Sequence, residues 1–223
     1  MTPETAPRAL RDRNRQLARD VVLDAAERLL QTSPNAEFSM RALAAEAGVG
    51  FATPFNHFGS KNSIIQALSA RLIERMSVRF RNERPEGDAI DRVLAMGRIS
   101  TGVLLEKPDV SKVVVGSLGV VSPTPSSVRP KSGALWVQAL GDCAGLTPAT
   151  RALGRELLPQ QLAFTFRGCL SFWIAGELGD AMLPKAFRVG ALTLLLGFAS
   201  PARRAAMATA IRPHVSASRR CCV

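Results

Sequence analysis

The sequence predicts an all-α protein in two parts, a three-helix N-terminal domain followed by a larger helical bundle. Three observations carry this. Apolar residues recur every three or four positions, as in Leu17, Val21, Ala25 and Leu29, in Ile64, Leu68 and Leu72, and in Leu162, Phe166, Leu170 and Trp173. That is the period of a helix with one buried face. Glycine and proline separate these runs, at Pro34, Gly48, Pro108 and Pro148, where they interrupt helices. Finally, 223 residues of which 47% are hydrophobic supply one small and one larger core without disulfides or metal.

The first helix is expected over 15–31, behind a basic flexible arm at 1–14, with Val22 and Ala26 widening its stripe. Thr32-Ser33-Pro34-Asn35 stops it, because proline cannot extend the hydrogen-bond ladder and disfavours helical geometry in the residue before it. Ser39 is placed to cap the second helix, with Phe38 and Leu43 at the positions of a hydrophobic staple. Met40, Leu43, Ala44 and Ala47 form that helix's inner face. Gly48 ends it, since glycine enters the left-handed region without a side-chain clash. A third helix starts near Gly50, with Phe55 and Phe58 turned inward and Phe51, Ala52, Thr53 and Asn56 outward. Pro54, near its fourth position, should remove one early hydrogen bond. Ser60 caps a fourth helix over 61–81, with Ile65 and Met76 beside its stripe. Two short helices around a glycine turn, within 15–60, are the grammar of a helix-turn-helix, which lays its second helix in the DNA major groove. Residues 61–82 then connect to the second domain, 83–212.

There, Arg84-Pro85-Glu86-Gly87 precedes a helix over 88–106, which Pro108 breaks. The valine-rich stretch 109–121 is ambiguous by propensity, and 122–132 has the composition of a mobile loop. Helices are expected over 133–143, 148–178, 184–199 and 202–211, before a disordered tail at 213–223. The last two major helices present Leu162, Phe166, Leu170 and Trp173 on one and Val189, Leu192, Leu196 and Ala199 on the other. Gly168, Ala175, Gly176, Gly190 and Gly197 would let backbones approach closely.

Ala47-Gly48-Val49-Gly50, Phe55-Asn56-His57-Phe58 and Ser60-Lys61 stand in an order and spacing similar to a known set. Over roughly residues 21–72 the chain resembles the N-terminal domain of the tetracycline-repressor family of transcriptional regulators. That family shows an Ala-Gly-Val-Ser turn, a Tyr-x-His-Phe cluster and a Ser-Lys helix start in these places. The resemblance implies a ligand-responsive repressor that binds a palindromic operator as a homodimer and is released by a small effector. It also implies a short buried helix within 109–121. Leu162, Phe166, Leu170, Trp173, Val189, Leu192 and Leu196 become candidates for the dimer interface, shared with the subunit's own core. Met96, Val103, Trp136, Phe164 and Cys169 become candidates for lining an effector site, and their apolar character suggests a hydrophobic or aromatic effector.

The DNA-binding set expected from the motif is Arg15, Ser39, Arg41, Gly50, Phe51, Ala52, Thr53, Phe55, Asn56, His57 and Lys61. Gly50 departs from the family's serine and offers no hydroxyl; Phe55 departs from its tyrosine and offers no phenol. Between Arg41 and Lys61 there is neither arginine nor lysine, which removes bidentate reading of guanine from the third helix. Thr53 and Asn56 can hydrogen-bond base edges or phosphates, and Phe51 and Ala52 can meet thymine methyls. His57 is open between packing and a phosphate contact, as is Phe55 between core and sugar-phosphate edge. Lys61 and Arg41, at helix starts, suit phosphates.

The formal charge is +11. Through Arg81 there are twelve Lys/Arg against eight Asp/Glu, and beyond it seventeen against ten, so the excess is not confined to the first domain. It concentrates locally at Arg8, Arg11, Arg13, Arg15 and Arg19 against Asp12. Such a run can follow phosphates or enter a minor groove, and salt should then weaken binding steeply.

Catalysis is not expected: the histidines are His57, inside the motif, and His214, near the end, and there is no phosphate loop or metal-spaced cluster. No cofactor or metal is expected. The arginine-rich start lacks a signal-peptide core, and the apolar run 189–199 is too short to span a bilayer, so a soluble cytoplasmic protein is expected. Cys143 and Cys169 are expected reduced and buried, while a redox role for Cys221-Cys222 is left open. The alternative function is a helical ligand-binding adaptor that has lost sequence-specific DNA binding.

Overall fold

A computed structural model of the chain describes residues 5–33, 37–117 and 128–218, with the side chains of 10–33, 37–117 and 128–212. The described residues of Met1–Ser69 and Asp109–Ser122 form one compact unit, and those of Ala70–Pro108 and Pro123–Val223 a second. The elements are α1 (Thr5–Thr32), α2 (Met40–Glu46), α3 (Ala52–Phe58), α4 (Lys61–Glu83), α5 (Ala89–Leu105), α6 (Pro108–Gly116), α7 (Val128–Leu140), α8 (Pro148–Ile174), α9 (Leu183–Leu195) and α10 (Pro201–Ser218), with a 3-10 turn at Asp180–Met182 before α9. The all-α class stands: among the described residues the one β feature is an isolated bridge between Leu146 and Ala199.

Helix α1 begins ten residues earlier than its stripe suggested, so 5–14 is helix rather than flexible arm. Arginine, leucine and glutamine are strong helix formers, and Pro7 lies in the first turn, where its missing N–H is harmless. The buried face is also shifted. Val22, Leu23, Ala25, Ala26 and Leu30 are inside, whereas Leu17 and Val21 are exposed. Helix α2 is capped as its sequence requires: Ser39 is extended (φ −92, ψ 155) and its Oγ accepts from the Ala42 N–H at 3.0 Å. Phe38 and Leu43 are both buried beside that cap, as a staple requires.

In the first unit, Ser69 Oγ donates to the carbonyls of Ile65 (3.1 Å) and Val114 (3.3 Å), joining the start of α4 to α6. Helix α6 buries Val110, Val114 and Val115. Most of the loop expected at 122–132, the stop at Pro34-Asn35 and the Cys221-Cys222 pair lie outside the described residues, as does the side chain of His214. Helix α7 nonetheless starts at Val128, five residues before expectation, because Pro130 again falls in a first turn.

The second unit has its core where α5, α7, α8 and α9 meet. Trp136 stacks on Phe187 with ring centroids 5.0 Å apart, and Phe166 meets both edge-on. Asp88 begins α5 with a reciprocal capping box to Asp91, and Arg203 of α10 reaches the same corner, 2.6 Å from Asp91. Helix α8 ends at Ile174 rather than 178, since Gly176 at φ +79 closes it. There the Glu177 N–H reaches the Phe172 carbonyl and the Gly176 N–H that of Trp173. Helix α10 continues to Ser218, into the tail expected to be disordered. No described helix is long and apolar enough to cross a membrane.

Candidate nucleic-acid interface

The turn between α2 and α3 is fixed by the backbone. Gly48 has φ +65, and the N–H groups of Val49 and Gly48 close onto the carbonyls of Ala44 (3.0 Å) and Ala45 (3.1 Å). This is the paired bond pattern that ends a helix with a left-handed residue. It reverses the chain, and α3 starts after Phe51, with the Thr53 N–H on the Gly50 carbonyl at 2.9 Å. Pro54 is therefore the third helical residue, where its N–H would have had no intrahelical partner. The hydrogen bond expected to be lost is not lost.

Two arginines of α1 hold α2 and α3 at their C-terminal ends. Arg28 Nε lies 2.6 Å from the Glu46 carboxylate and Nη2 reaches the Glu46 carbonyl. Both side chains are well exposed, so the ion pair contributes at most about 1 kcal/mol. Arg19 does more. Its Nη1 donates to the His57 carbonyl at 2.6 Å, and its guanidinium carbon sits 4.3 Å from the centroid of the Phe58 ring. A cation at a helix C-terminus offsets the unpaired carbonyls there. The sequence had suggested Arg19 as a phosphate contact with the rest of the basic run; it is instead a strut. The signal was its register, since Arg19 continues the Leu23, Ala26 and Leu30 face by one turn.

With α3 so held, Pro54 and Phe58 face inward and Gly50, Phe51, Ala52, Phe55 and Asn56 are exposed. Phe55 was expected inward; at 40% exposed it is outside, and Pro54 fills its place. The reason is spacing: Pro54 and Phe58 are four apart on one side of a seven-residue helix, which leaves Phe51 and Phe55 paired on the other. Their rings lie 5.5 Å apart at 62°. Thr53 and His57 are half-buried, and His57 Nδ1 is enclosed without a partner.

Around this face, Arg15, Ser39, Arg41 and Lys61 are exposed on their helices. Lys61 Nζ lies 5.0 Å from the centroid of the Phe38 ring, which steadies its stem at the start of α4. Ser60 Oγ accepts from the Ser63 N–H at 3.1 Å, the cap expected of it. Every member of the expected DNA-binding set thus lies at an exposed or half-exposed position of the first unit.

The second unit does not gather its candidates. Met96, Val103 and Trp136 are enclosed in the core, whereas Phe164 is 51% exposed on the side of α8 away from Phe166. The five residues therefore do not line one cavity. Cys143 is a buried free thiol; Cys169 is a free thiol only half-buried, and burial pushes its pKa up. Of the proposed interface residues, Leu162, Phe166, Leu170, Trp173 and Leu192 are buried within this chain. They pack into the core of their own unit. Val189 and Leu196 remain partly exposed. What sequence periodicity missed is the outer face of α8, where Leu153, Leu157, Phe164 and Phe172 are exposed.

Residues 22–68 match the family of bacterial regulatory proteins, tetR family. Among solved structures, a TetR transcriptional regulator from Rhodococcus sp. RHA1 superposes with a TM-score of 0.66 at 21% identity, covering 85% of this chain and 99% of that one. A protein of unknown function from the same organism superposes with a TM-score of 0.54 at 21% identity, covering 82% of this chain and 96% of that one. A comparison with curated proteins gave no match. At these identities the likenesses establish the fold, and the family match concerns the helix-turn-helix region.

Proposed function

Because the chain carries over residues 22–68 the domain of the tetR family of bacterial regulatory proteins, we propose that it binds a palindromic operator as a homodimer. On this proposal it represses transcription in the cytoplasm until a small hydrophobic or aromatic effector releases it. The observation that supports this best is the outer face of α3, where Phe51, Ala52, Phe55 and Asn56 are exposed. A helix held at both ends by a turn and a strut, with one free side, suits insertion into a major groove. Arg15, Arg41 and Lys61 then meet phosphates, with His57 and Ser39 beside them, and Thr53 and Asn56 approach the bases.

For the dimer we assign the outer face of α8, with Leu153, Leu157, Phe164 and Phe172, together with Val189 of α9 and Leu196 just past its end. Gly168, on the same helix, has open space where a Cβ would stand, so a partner backbone can come close. A two-fold dimer places two reading helices roughly 34–36 Å apart, one turn of DNA. For the effector we assign the core around Trp136, whose Nε1 is buried without a partner, as is Ser100 Oγ. A ligand entering there would be apolar with a hydrogen-bond acceptor. It would act only through its different affinity for the DNA-fitting and non-fitting shapes.

The rival is an adaptor that no longer reads DNA, favoured by the absence of Arg and Lys between Arg41 and Lys61. Recovery of bound fragments from genomic DNA by the full chain separates the two. A regulator enriches a two-fold symmetric site and shifts it against excess competitor at moderate salt. An adaptor enriches nothing.

A further inference from the structure

We propose that the reading head selects its operator through the C5 methyl groups of thymine, received in the major groove by the paired rings of Phe51 and Phe55 with Ala52 beside them. This rests on the DNA-binding function proposed above and specifies what that face reads. Phe51 is 59% exposed and Phe55 40% exposed. They stand one helical turn apart with centroids separated by 5.5 Å, so they form one apolar ridge. Two large apolar rings left in water gain free energy wherever they are next covered.

The chemistry around the ridge selects what covers it. The bases offer guanine as hydrogen-bond acceptors to arginine or lysine, adenine as a bidentate partner to asparagine, and thymine as a methyl group to apolar side chains. No Arg or Lys lies between Arg41 and Lys61, so α3 has no donor of the guanine type. It does expose Asn56, adjacent in sequence to Phe55. An A·T pair presents to the major groove the adenine edge that Asn56 can grip and, on its partner base, the methyl that a phenyl ring can cover. The cations stand off α3, at Arg15, Arg41 and Lys61, on the elements that meet phosphates in such a head. The ridge itself therefore carries no charge and is left for base edges.

The test uses the full chain and two pools of random-sequence duplex, one made with thymine and one with uracil throughout, which lacks only the methyl. Sites recovered from the thymine pool should carry adjacent thymines in each half-site. Replacing those by uracil should weaken binding about fourfold per methyl removed, with the salt slope unchanged because no phosphate contact is lost. Phe51→Ala should bring the thymine duplex down to the affinity of the uracil duplex. Its melting temperature should hold, since the ring is mostly exposed. Replacing guanines in the site by 7-deazaguanine should change nothing.

Equal affinity for thymine and uracil duplexes, with sequence preference kept, overturns the methyl-reading proposal and leaves the DNA-binding function intact. No sequence preference in either pool overturns both. A fall in solution mass for Phe51→Ala, with no discrimination between the two duplexes, would assign the ridge to a second copy of the chain and also overturn it.

Discussion

Helix α3 turns Pro54 and Phe58 inward and leaves Phe51 and Phe55 to solvent; α8 buries Leu158, Leu162, Phe166, Leu170 and Trp173 and still leaves Leu153, Leu157, Phe164 and Phe172 outside. The two exposures have different origins. The short α3 is positioned by a backbone turn and by Arg19, so its outer residues have no part in holding the fold. The 27-residue α8 is apolar on two sides, and its inner side alone builds the second unit's core. In the head, exposure marks a face that its own unit leaves largely open. In the larger unit, an apolar stripe does not say whether it meets its own chain or another.

The strongest way to break this contrast is Trp173→Ala. As a core residue, with its Nε1 donating to Asp180 at 2.7 Å, its loss should lower unfolding stability by about 3–5 kcal/mol, measured by denaturant titration. Phe172→Ala, its exposed neighbour, should leave the subunit's stability within about 0.5 kcal/mol and lower the mass seen by sedimentation instead. An unchanged midpoint for Trp173→Ala would return that stripe to the interface.

Next comes the turn. Gly48→Ala meets no neighbouring atom within 4 Å, so its penalty is the backbone strain of φ +65 alone, about 1–2 kcal/mol. Thermal melting should show it, and DNA affinity should fall because α3 is displaced. A melting temperature equal to wild type would mean that the turn does not set α3.

Lys61→Ala sharpens the comparison from the other side. It should weaken binding evenly across sequences and lower the salt slope by about one contact, read from affinities at several salt concentrations. A loss restricted to one operator would make Lys61 a base reader.

The smallest effect belongs to the corner of α5 and α10. Burial alone would raise the Asp91 carboxyl, but the Arg203 hydrogen bond and charge, with the Asp88 N–H, outweigh it and hold the pKa below 3.8. A depressed folded pKa contributes stability above the unfolded value that is lost as pH falls through the folded one. Melting temperature should therefore drop below about pH 4 by slightly more in wild type than in Asp91→Asn. The carboxylate is 43% exposed, so solvent screens most of the effect. Parallel curves would show that the contact does not matter.

The head was legible where signals are local. Ser39, Gly48 and Ser60 each act within a few residues, through one hydrogen bond or one dihedral, and each lies where the sequence puts it. The register of α1 was less legible, because Leu17 and Val21 satisfy the same period as Val22 and Leu23, and only the neighbours α2 and α3 choose between them. Phe55 lies outside although hydrophobicity favours it over Pro54 for the inner position. In the second unit, the exposed side of α8 also carries Leu153, Leu157, Phe164 and Phe172, so periodicity had little contrast to report.

The amino-acid sequence alone determined the helical class, the capped turn between α2 and α3, and the absence of a guanine-reading cation on α3, because capping, dihedral preference and side-chain chemistry are properties of a few adjacent residues. Only the tertiary structure decided which apolar faces are spent inside the chain, that Arg19 braces α3 instead of remaining free, and that Phe51 and Phe55 stand together outside. Those outcomes depend on which helices pack against one another. Burial is a property of that packing, not of any one segment.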